Sequence, residues 1–284
     1  MSKPVLNKMT EPLLLSKSKR DAVTLKNKND TLKGMKAFFT EVTSLTFFTG
    51  RFFKELFQPP YEFNELVKQA YLIGNKSFYL VAITGFIMGL VLTIQSAPTL
   101  SQFGAESWLP AMVAVSIIRE IGPVITALIC AGKVGSGIGA ELASMKVTEQ
   151  IDAMEVSGAN PFKYLVVTRV VAATLMIPVL VIFSDAISLG GAFMGVNITG
   201  DVSFSLFFSQ VVEAVDFADV FPAFIKTFFF GFIIGLVACY KGYHSNKGTE
   251  GVGAAANAAV VMASLLVFII DMIAVQFTNL LINY

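Results

Sequence analysis

The chain has 284 residues, of which 55% are hydrophobic and 14% are charged, with a net charge of +1. An ordinary soluble domain is about 45–50% apolar and about 25% charged, so this composition excludes a typical water-soluble domain. Two cysteines and one histidine exclude a zinc cluster, a disulfide framework of more than one pair and a Ser-His-Asp triad. We therefore expect neither a metal site nor an enzymatic activity in this chain.

Residues 1–34 are predicted to be a basic, largely disordered tail on the cytoplasmic side. Nine of the 21 Lys and Arg lie in the first 36 residues, against three acidic residues. The tail has no apolar core followed by a small-residue cleavage site, which a signal peptide would have. Orientation and loose attraction to anionic lipid is the simpler interpretation of its charge, and a dedicated protein-binding tail is the alternative.

Residues 35–75 are predicted to form interfacial amphipathic helices. Apolar residues recur there at three- and four-residue steps, as on one face of a helix: Phe38, Val42, Leu45, Phe48, Phe52 and Leu56. Such a helix should lie in the membrane interface. A sixth span is the rival interpretation, and it would bring Glu41 and Arg51 into hydrocarbon at a high cost.

Residues 76–284 contain five long apolar runs, each of about the 20 residues that cross about 30 Å of hydrocarbon. The runs are 78–97, 109–130, 165–189, 221–240 and 254–280. The predicted fold class is therefore an all-α integral membrane protein with an N-terminal interfacial helix and five transmembrane helices. The odd number of spans places the two ends of the chain on opposite sides of the bilayer.

Basic residues flank two of the loops between these spans. They are Lys133, Lys146, Lys163 and Arg169 around the loop between the second and third spans, and Lys241 and Lys247 around the loop between the fourth and fifth. The segments after the first and third spans carry acidic residues and neither Lys nor Arg. By the positive-inside rule the N-terminus is predicted to be cytoplasmic and the C-terminus periplasmic.

The glycine-rich stretch 131–140 resembles a phosphate-binding loop only superficially. Val134 follows Lys133 where a Walker A loop has Ser or Thr, and Ala127 stands where it has its first Gly. We expect these glycines to let the chain leave the second span and turn into a short cytoplasmic helix over residues 146–155. Its exposed charges suit either a docking element or an ordinary amphipathic connector.

Arg119 and Glu120 lie about ten residues into the second span, roughly 15 Å deep by helical rise. Ionisable groups at that depth need partners or a cavity. Asp185 and Asp271 are the possible partners in other spans. An ion-pair network that fixes helix register and a polar lining for a substrate cavity both remain open.

Four stretches together resemble the MlaE (YrbE-like) family of permeases in ABC transporters that work with MCE-domain proteins in lipid transport. They are Ser116-Ile-Ile-Arg-Glu-Ile-Gly-Pro123, Ala131-Gly-Lys133, Ala140-Glu-Leu-Ala-Ser-Met145 and Thr148-Glu-Gln-Ile-Asp-Ala-Met154. The resemblance implies a multi-pass protein of the inner membrane that moves lipid, with phospholipid as the expected substrate. It also implies a coupling role of the short cytoplasmic helix, which falls here on Lys146, Glu149, Gln150, Asp152 and Met154.

The same resemblance implies several partners for the chain. It predicts a homodimer, a cytoplasmic ABC ATPase dimer and an MCE-domain assembly on the outer side, without nucleic acid. ATP and Mg would be bound by the ATPase, so no cofactor is expected in this chain.

The lipid pocket of such permeases lies at the dimer axis. The matching positions here are Leu92, Thr99, Leu100, Phe103, Arg119 and Glu120. Two functions from other classes are the alternatives: an ion-coupled carrier that uses Glu120, Asp185 and Asp271, and a non-transporting membrane scaffold for MCE proteins.

Overall fold

The computed structural model describes residue 36 and residues 39–200, 202–245 and 248–282. The predicted tail of residues 1–34 lies outside the described residues. The described chain is helical and contains no strand. The helices are α1 (residues 39–56), α2 (Phe63–Gln102), α3 (Leu109–Ser116), α4 (Gly122–Cys130), α5 (Ser136–Val147), α6 (Gln150–Val156), α7 (Thr168–Thr199), α8 (Phe204–Ala214), α9 (Phe217–Tyr243) and α10 (Thr249–Ile282).

Within the described residues, five helical segments are long and apolar enough to cross a membrane, which confirms the predicted fold class. They are Phe63–Gln102, Glu106–Val147, Phe162–Ile198, Phe217–Tyr243 and Thr249–Leu280. Each contains one of the predicted apolar runs. Helix α1 is not among these five, so the sixth-span alternative gains no support, and the interfacial position of α1 stays a prediction.

The first span begins earlier than its charge-free run suggests. Helix α2 is continuous from Phe63, so residues 63–75 belong to the helix of the first span, and the predicted boundary at residue 76 is not a helix break. Polar residues of this part are held by protein contacts: Gln69 Nε2 donates to Glu65 Oε1 at 2.7 Å, and the Tyr164 hydroxyl donates to Glu65 Oε2 at 3.1 Å. The polar side chains of residues 63–75 are therefore part of the first helix, and the beginning of the charge-free run at residue 78 is not the beginning of that helix.

Helices α2 and α7 pack closely along small residues. A Cβ placed on Gly89 would overlap the carbonyl of Ser188, and one on Gly191 would overlap the carbonyl of Phe86. The Ser188 hydroxyl donates across this contact to the Gly85 carbonyl at 2.8 Å. Close backbone approach of this kind is the usual way in which membrane helices associate, since lipid provides no hydrophobic force between them.

The second span consists of α3, α4 and α5 joined by two π-helical turns, Ile117–Ile121 and Ala131–Gly135. The glycine-rich stretch 131–140 was predicted to be the point at which the chain leaves the second span. It is instead part of the helix of that span. The helix continues to Val147, and one of its glycines packs closely on α10, since a Cβ on Gly139 would meet the Ala259 side chain at 3.2 Å. The break comes at Glu149, whose φ is 59°.

Two ends of the bundle follow from this connectivity. The end that carries residues 103–105, between the first two spans, is called the hairpin end below. The opposite end carries α6 and is called the α6 end. Helix α8 packs at the hairpin end, where Phe207 and Val211 join Val113 and Ile117 in one apolar cluster.

Candidate functional site

A buried lysine links three spans. The Lys226 ammonium on α9 lies 2.7 Å from Glu120 Oε2 in the second span and 2.9 Å from Asp271 Oδ1 on α10. Its side chain is 5% exposed. Two charge-assisted hydrogen bonds of this length compensate for the removal of an ammonium from water, which a single long contact would not.

This cluster lies deep in the bundle. Lys226 follows the start of α9 at Phe217 by nine residues, or about 14 Å of helical rise, and Asp271 precedes the end of α10 at Ile282 by eleven, or about 17 Å. Half of the hydrocarbon layer is about 15 Å thick. The cluster is therefore near the middle of the membrane, where an unpaired charge would be most costly.

A second ion pair extends the cluster toward the hairpin end. Arg119 Nε lies 3.3 Å from Asp219 Oδ1 in the first turn of α9. The Asp219 side chain also reaches back to the backbone N–H of Asp216, and the Asp216 side chain accepts from the Asp219 backbone, which together form a capping box. Asp219 thus connects the start of the fourth span to the second.

The five ionisable groups together hold two positive and three negative charges if all are ionised. They are Arg119, Glu120, Asp219, Lys226 and Asp271. Four of them, all but Asp271, line a cavity of about 30 Å³, which accommodates a water molecule but no lipid headgroup. Lys226 also lines a larger apolar cavity of about 570 Å³ between α9 and α10, so the ion-pair network and the substrate cavity both stay predictions for its role.

Sequence reasoning found Arg119, Glu120 and Asp271 but missed Lys226, which joins them. The signal was present, since Lys226 is the only Lys or Arg between Phe217 and Tyr240. It was overlooked because a single charged residue does not prevent the run 221–240 from being predicted as a membrane span. The predicted pairing of Glu120 with Asp271 is therefore indirect, through a shared cation.

Asp185 does not join this network. It lies on α7, and its Oδ1 atom contacts Gly122 of the second span. A Cβ on residue 122 would overlap this oxygen. Within the described part of the chain this buried oxygen has no hydrogen-bond partner. Asp185 is therefore not hydrogen-bonded to the Lys226 cluster, although it is close enough to the Lys226 ammonium for an electrostatic interaction.

The residues predicted to contact lipid fall into three places. Leu92 and Leu100 pack against the apolar cluster at the hairpin end. Thr99 is exposed on α2, and Phe103, the residue directly after α2, is 79% exposed. Arg119 and Glu120 belong to the ion-pair network, so one copy of the chain does not bring the six residues into one pocket.

A cavity of about 320 Å³ does open at the hairpin end. Residues of α2, the second span, α7 and the segment after α7 line it: Ala97, Pro98, Ser101, Glu106, Leu109, Val196, Gly200 and Val202. Its wall is mainly apolar, and the Ser101 hydroxyl donates to Glu106 Oε1 at 2.5 Å at its edge. Ala97, Pro98 and Ser101 are neighbours in sequence of the predicted Thr99 and Leu100.

The predicted coupling helix is in fact two pieces. Lys146 lies in the last turn of the long helix of the second span, which ends at Val147, and α6 begins at Gln150 after the break at Glu149. The Lys146 ammonium lies 2.7 Å from Asp152 Oδ1 and ties α6 to the span. Ile151 is buried and anchors α6, while Glu149 and Gln150 are exposed and Met154 is half-buried.

Val156 ends α6 with 90% of its surface exposed. Single exposed apolar side chains are common on protein surfaces, so Val156 by itself does not indicate a protein contact. Four of the five residues predicted to couple lie in α6 or the turn before it, and Lys146, in the last turn of α5, is joined to them by its ion pair with Asp152.

Comparison with known proteins gives a consistent result. The profile of the family described as "Permease MlaE" matches residues 66–277. A "Probable ABC transporter permease protein" of Rickettsia felis is 38% identical over 232 residues, which cover 82% of this chain and 90% of that relative. A similarly named protein of Synechocystis sp. is 33% identical over 82% of this chain and 88% of its own length.

A third relative carries a more specific name. The "Intermembrane phospholipid transport system permease protein MlaE" of Haemophilus influenzae is 37% identical over 210 residues, which cover 73% of this chain and 80% of that protein. Both α6 and the Lys226 cluster lie inside the matched family region.

Proposed function

This chain belongs to the MlaE permease family, and on that premise we propose that it is the membrane-spanning subunit of an ABC transporter that moves phospholipid. It passes lipid between the inner membrane and an MCE-domain partner, and a separate ATPase supplies the energy. The names of the relatives support this role, since they denote ABC transporter permeases and, in one case, phospholipid transport.

The observation that carries the proposal is the construction of α6. A helix of seven residues is held at the end of the second span by the Lys146–Asp152 ion pair and by buried Ile151. A rigid connection to a membrane-spanning helix is what a coupling element requires, because movement of a docked ATPase then displaces the span itself. The same span carries Glu120 of the buried network some 40 Å away by helical rise.

Lipid would be handled at the hairpin end. The apolar cavity there reaches Ala97 and Ser101, and the exposed side chains of Thr99 and Phe103 face away from the bundle of one copy. A second copy that packs against this side of α2 would combine both surfaces into one pocket, as the predicted homodimer requires. The Lys226 network would then form the floor below that pocket.

Association with an ATPase tests the proposal directly. Reversal of charge at Glu149 and Asp152 (E149K/D152K) should release an ATPase that co-purifies with the wild-type protein from membranes of the source cell. The matched control is E213K/E250K, which reverses two exposed carboxylates outside α6 and should retain it.

Three results would contradict the proposal. The first is a wild-type protein with which no ATPase co-purifies. The second is lipid transport by the purified chain alone that an uncoupler abolishes, which would favour the ion-coupled carrier. Unchanged lipid traffic in an E120A strain would favour the scaffold.

A further inference from the structure

A second cavity lies near the α6 end, between α2 and the second span. Its volume is about 250 Å³, and residues of both spans line it, among them Gln69, Lys76, Ser77, Lys133, Gly137 and Glu141. None of these residues belongs to the Lys226 network or to the cavity at the hairpin end. The proposed function therefore leaves this cavity unexplained.

The cavity carries a net positive charge. Lys76 and Lys133 both line it, and within the described residues neither has an ion-pair partner. Its one carboxylate, Glu141, is already neutralised, because Arg169 Nη2 lies 2.8 Å from Glu141 Oε1. Two ammonium groups thus remain available for an anion.

A buried polar group points to the same anion. Ser77 is 1% exposed, lines the cavity, and its hydroxyl has no hydrogen-bond partner among the described residues. Buried hydroxyls are nearly always paired, so a missing partner calls for a ligand or a water. The side chains of Ile73 and Ile138 are buried beside these groups and provide an apolar wall.

The depth of the lysines matches that of lipid headgroups. Lys76 precedes the end of α2 at Gln102 by 26 residues, or about 39 Å, and Lys133 follows the start of the second span at Glu106 by 27, or about 40 Å. The hydrocarbon layer is only about 30 Å thick. Two lysines at one level beyond the hydrocarbon layer, with apolar helix surface above them, lie where phosphates of that leaflet are found.

We propose that this cavity binds the headgroup phosphate of an anionic phospholipid in the leaflet at the α6 end. Lys76 and Lys133 pair with the phosphate, the Ser77 hydroxyl donates to one of its oxygens, and the apolar wall takes the beginning of an acyl chain. Basic pockets between membrane helices favour anionic lipids for this reason. The binding requires no transport, so it does not depend on the function proposed above.

Retention of lipid by the purified full-length protein measures this binding. The probes are phosphatidylglycerol and phosphatidylcholine with the same acyl chains, added in detergent and counted by native mass spectrometry. The wild-type protein should retain phosphatidylglycerol in preference, and K76Q/K133Q should lower that retention roughly tenfold. The control K54Q/K68Q removes two exposed lysines outside the cavity and should change it less than twofold.

A second variant tests the space in the cavity independently of the charge of its lysines. Gly137 lines the cavity, and a Cβ placed there meets no atom within 4 Å, so G137L directs a larger side chain into the cavity without a backbone clash at its Cβ. It keeps both lysines and should lower retention at least fivefold. Equal retention by wild-type protein, K76Q/K133Q and G137L would overturn the proposal, as would full displacement of the lipid by millimolar inorganic phosphate, which would identify a soluble phosphate as the ligand.

Discussion

Lys226 illustrates how one residue can hold several membrane helices in register. It is 5% exposed and bonds carboxylates of two other spans at 2.7 and 2.9 Å. Removal of one partner from a buried ion pair costs far more than the pair contributes, because the remaining charge stays buried without compensation. In this triad the loss of the single cation would leave two carboxylates behind.

Replacement of Lys226 by methionine should therefore destabilise the protein by about 3 kcal/mol, near the low end for buried pairs because Glu120 is partly exposed. The thermal transition in detergent, followed by fluorescence-detected size exclusion, measures the loss. K68M is the control, since Lys68 is 66% exposed and its pair with Glu65 should contribute less than about 1 kcal/mol.

Restoration of charge balance provides the complementary measurement. The triple variant E120Q/K226M/D271N removes the uncompensated charges and should recover part of the lost stability. A K226M protein as stable as the wild type would contradict the role of Lys226 as the centre of the network.

At the scale of helices, the contact of α2 with α7 depends on individual glycines. Gly190 and Gly191 are neighbours in one helix, yet only Gly191 faces α2: a Cβ on Gly190 meets nothing within 4 Å, whereas one on Gly191 overlaps the Phe86 carbonyl. Substitution of alanine for glycine at position 190 and at position 191 therefore tests the contact of α2 with α7, because the two variants have the same amino-acid composition.

G191A should lower stability by about 2 kcal/mol or more, because the clash is with backbone, which cannot rotate away. G190A should be neutral, or stabilise by up to about 1 kcal/mol, since alanine favours the helix over glycine. Chemical unfolding in mixed micelles compares the two. An equal effect of both substitutions would show that α2 and α7 are not in contact along this line.

The break before α6 also belongs to this scale. Glu149 adopts a φ of 59°, an unusual conformation for a residue with a side chain. This backbone turn ends the long second span and lets α6 fold back so that Asp152 reaches Lys146. The glycine-rich stretch before it, in contrast, remains helical because α10 and α9 pack against it.

For the whole molecule the main prediction is the direction of the bundle in the membrane. The two native cysteines, Cys130 and Cys239, are both fully buried, so the wild-type protein provides an unreactive background for labelling. A cysteine introduced at Phe103 lies at the hairpin end, and one at Ser157 lies at the α6 end.

An impermeant maleimide should label S157C only from the cytoplasmic side and F103C only from the periplasmic side. Intact cells compared with inverted vesicles measure this difference. Labelling of S157C in intact cells would reverse the topology and with it the proposed docking of an ATPase on α6.

The sequence by itself determined the fold class, the five spans and the family of this protein. Long apolar runs are a local property of the chain. Because a hydrocarbon layer about 30 Å thick requires about 20 apolar residues in a helix, each run identifies a span without information about its contacts with other residues. The motif around residues 148–154 likewise identified α6 as the candidate coupling element. Lys146, which was predicted to begin the same helix, lies in α5 instead.

Only the tertiary structure decided which charges meet. Whether Glu120 contacts Asp271 depends on the rotation and depth of three helices, which periodicity within one helix does not specify. In the structure the two carboxylates are joined through Lys226, a single lysine within a long apolar run. The same holds for the cavity with Lys76 and Lys133, two residues far apart in sequence that antiparallel helices bring to one level. Local pattern specifies where each helix lies along the chain, while side-chain packing between helices specifies what each of its polar residues contacts.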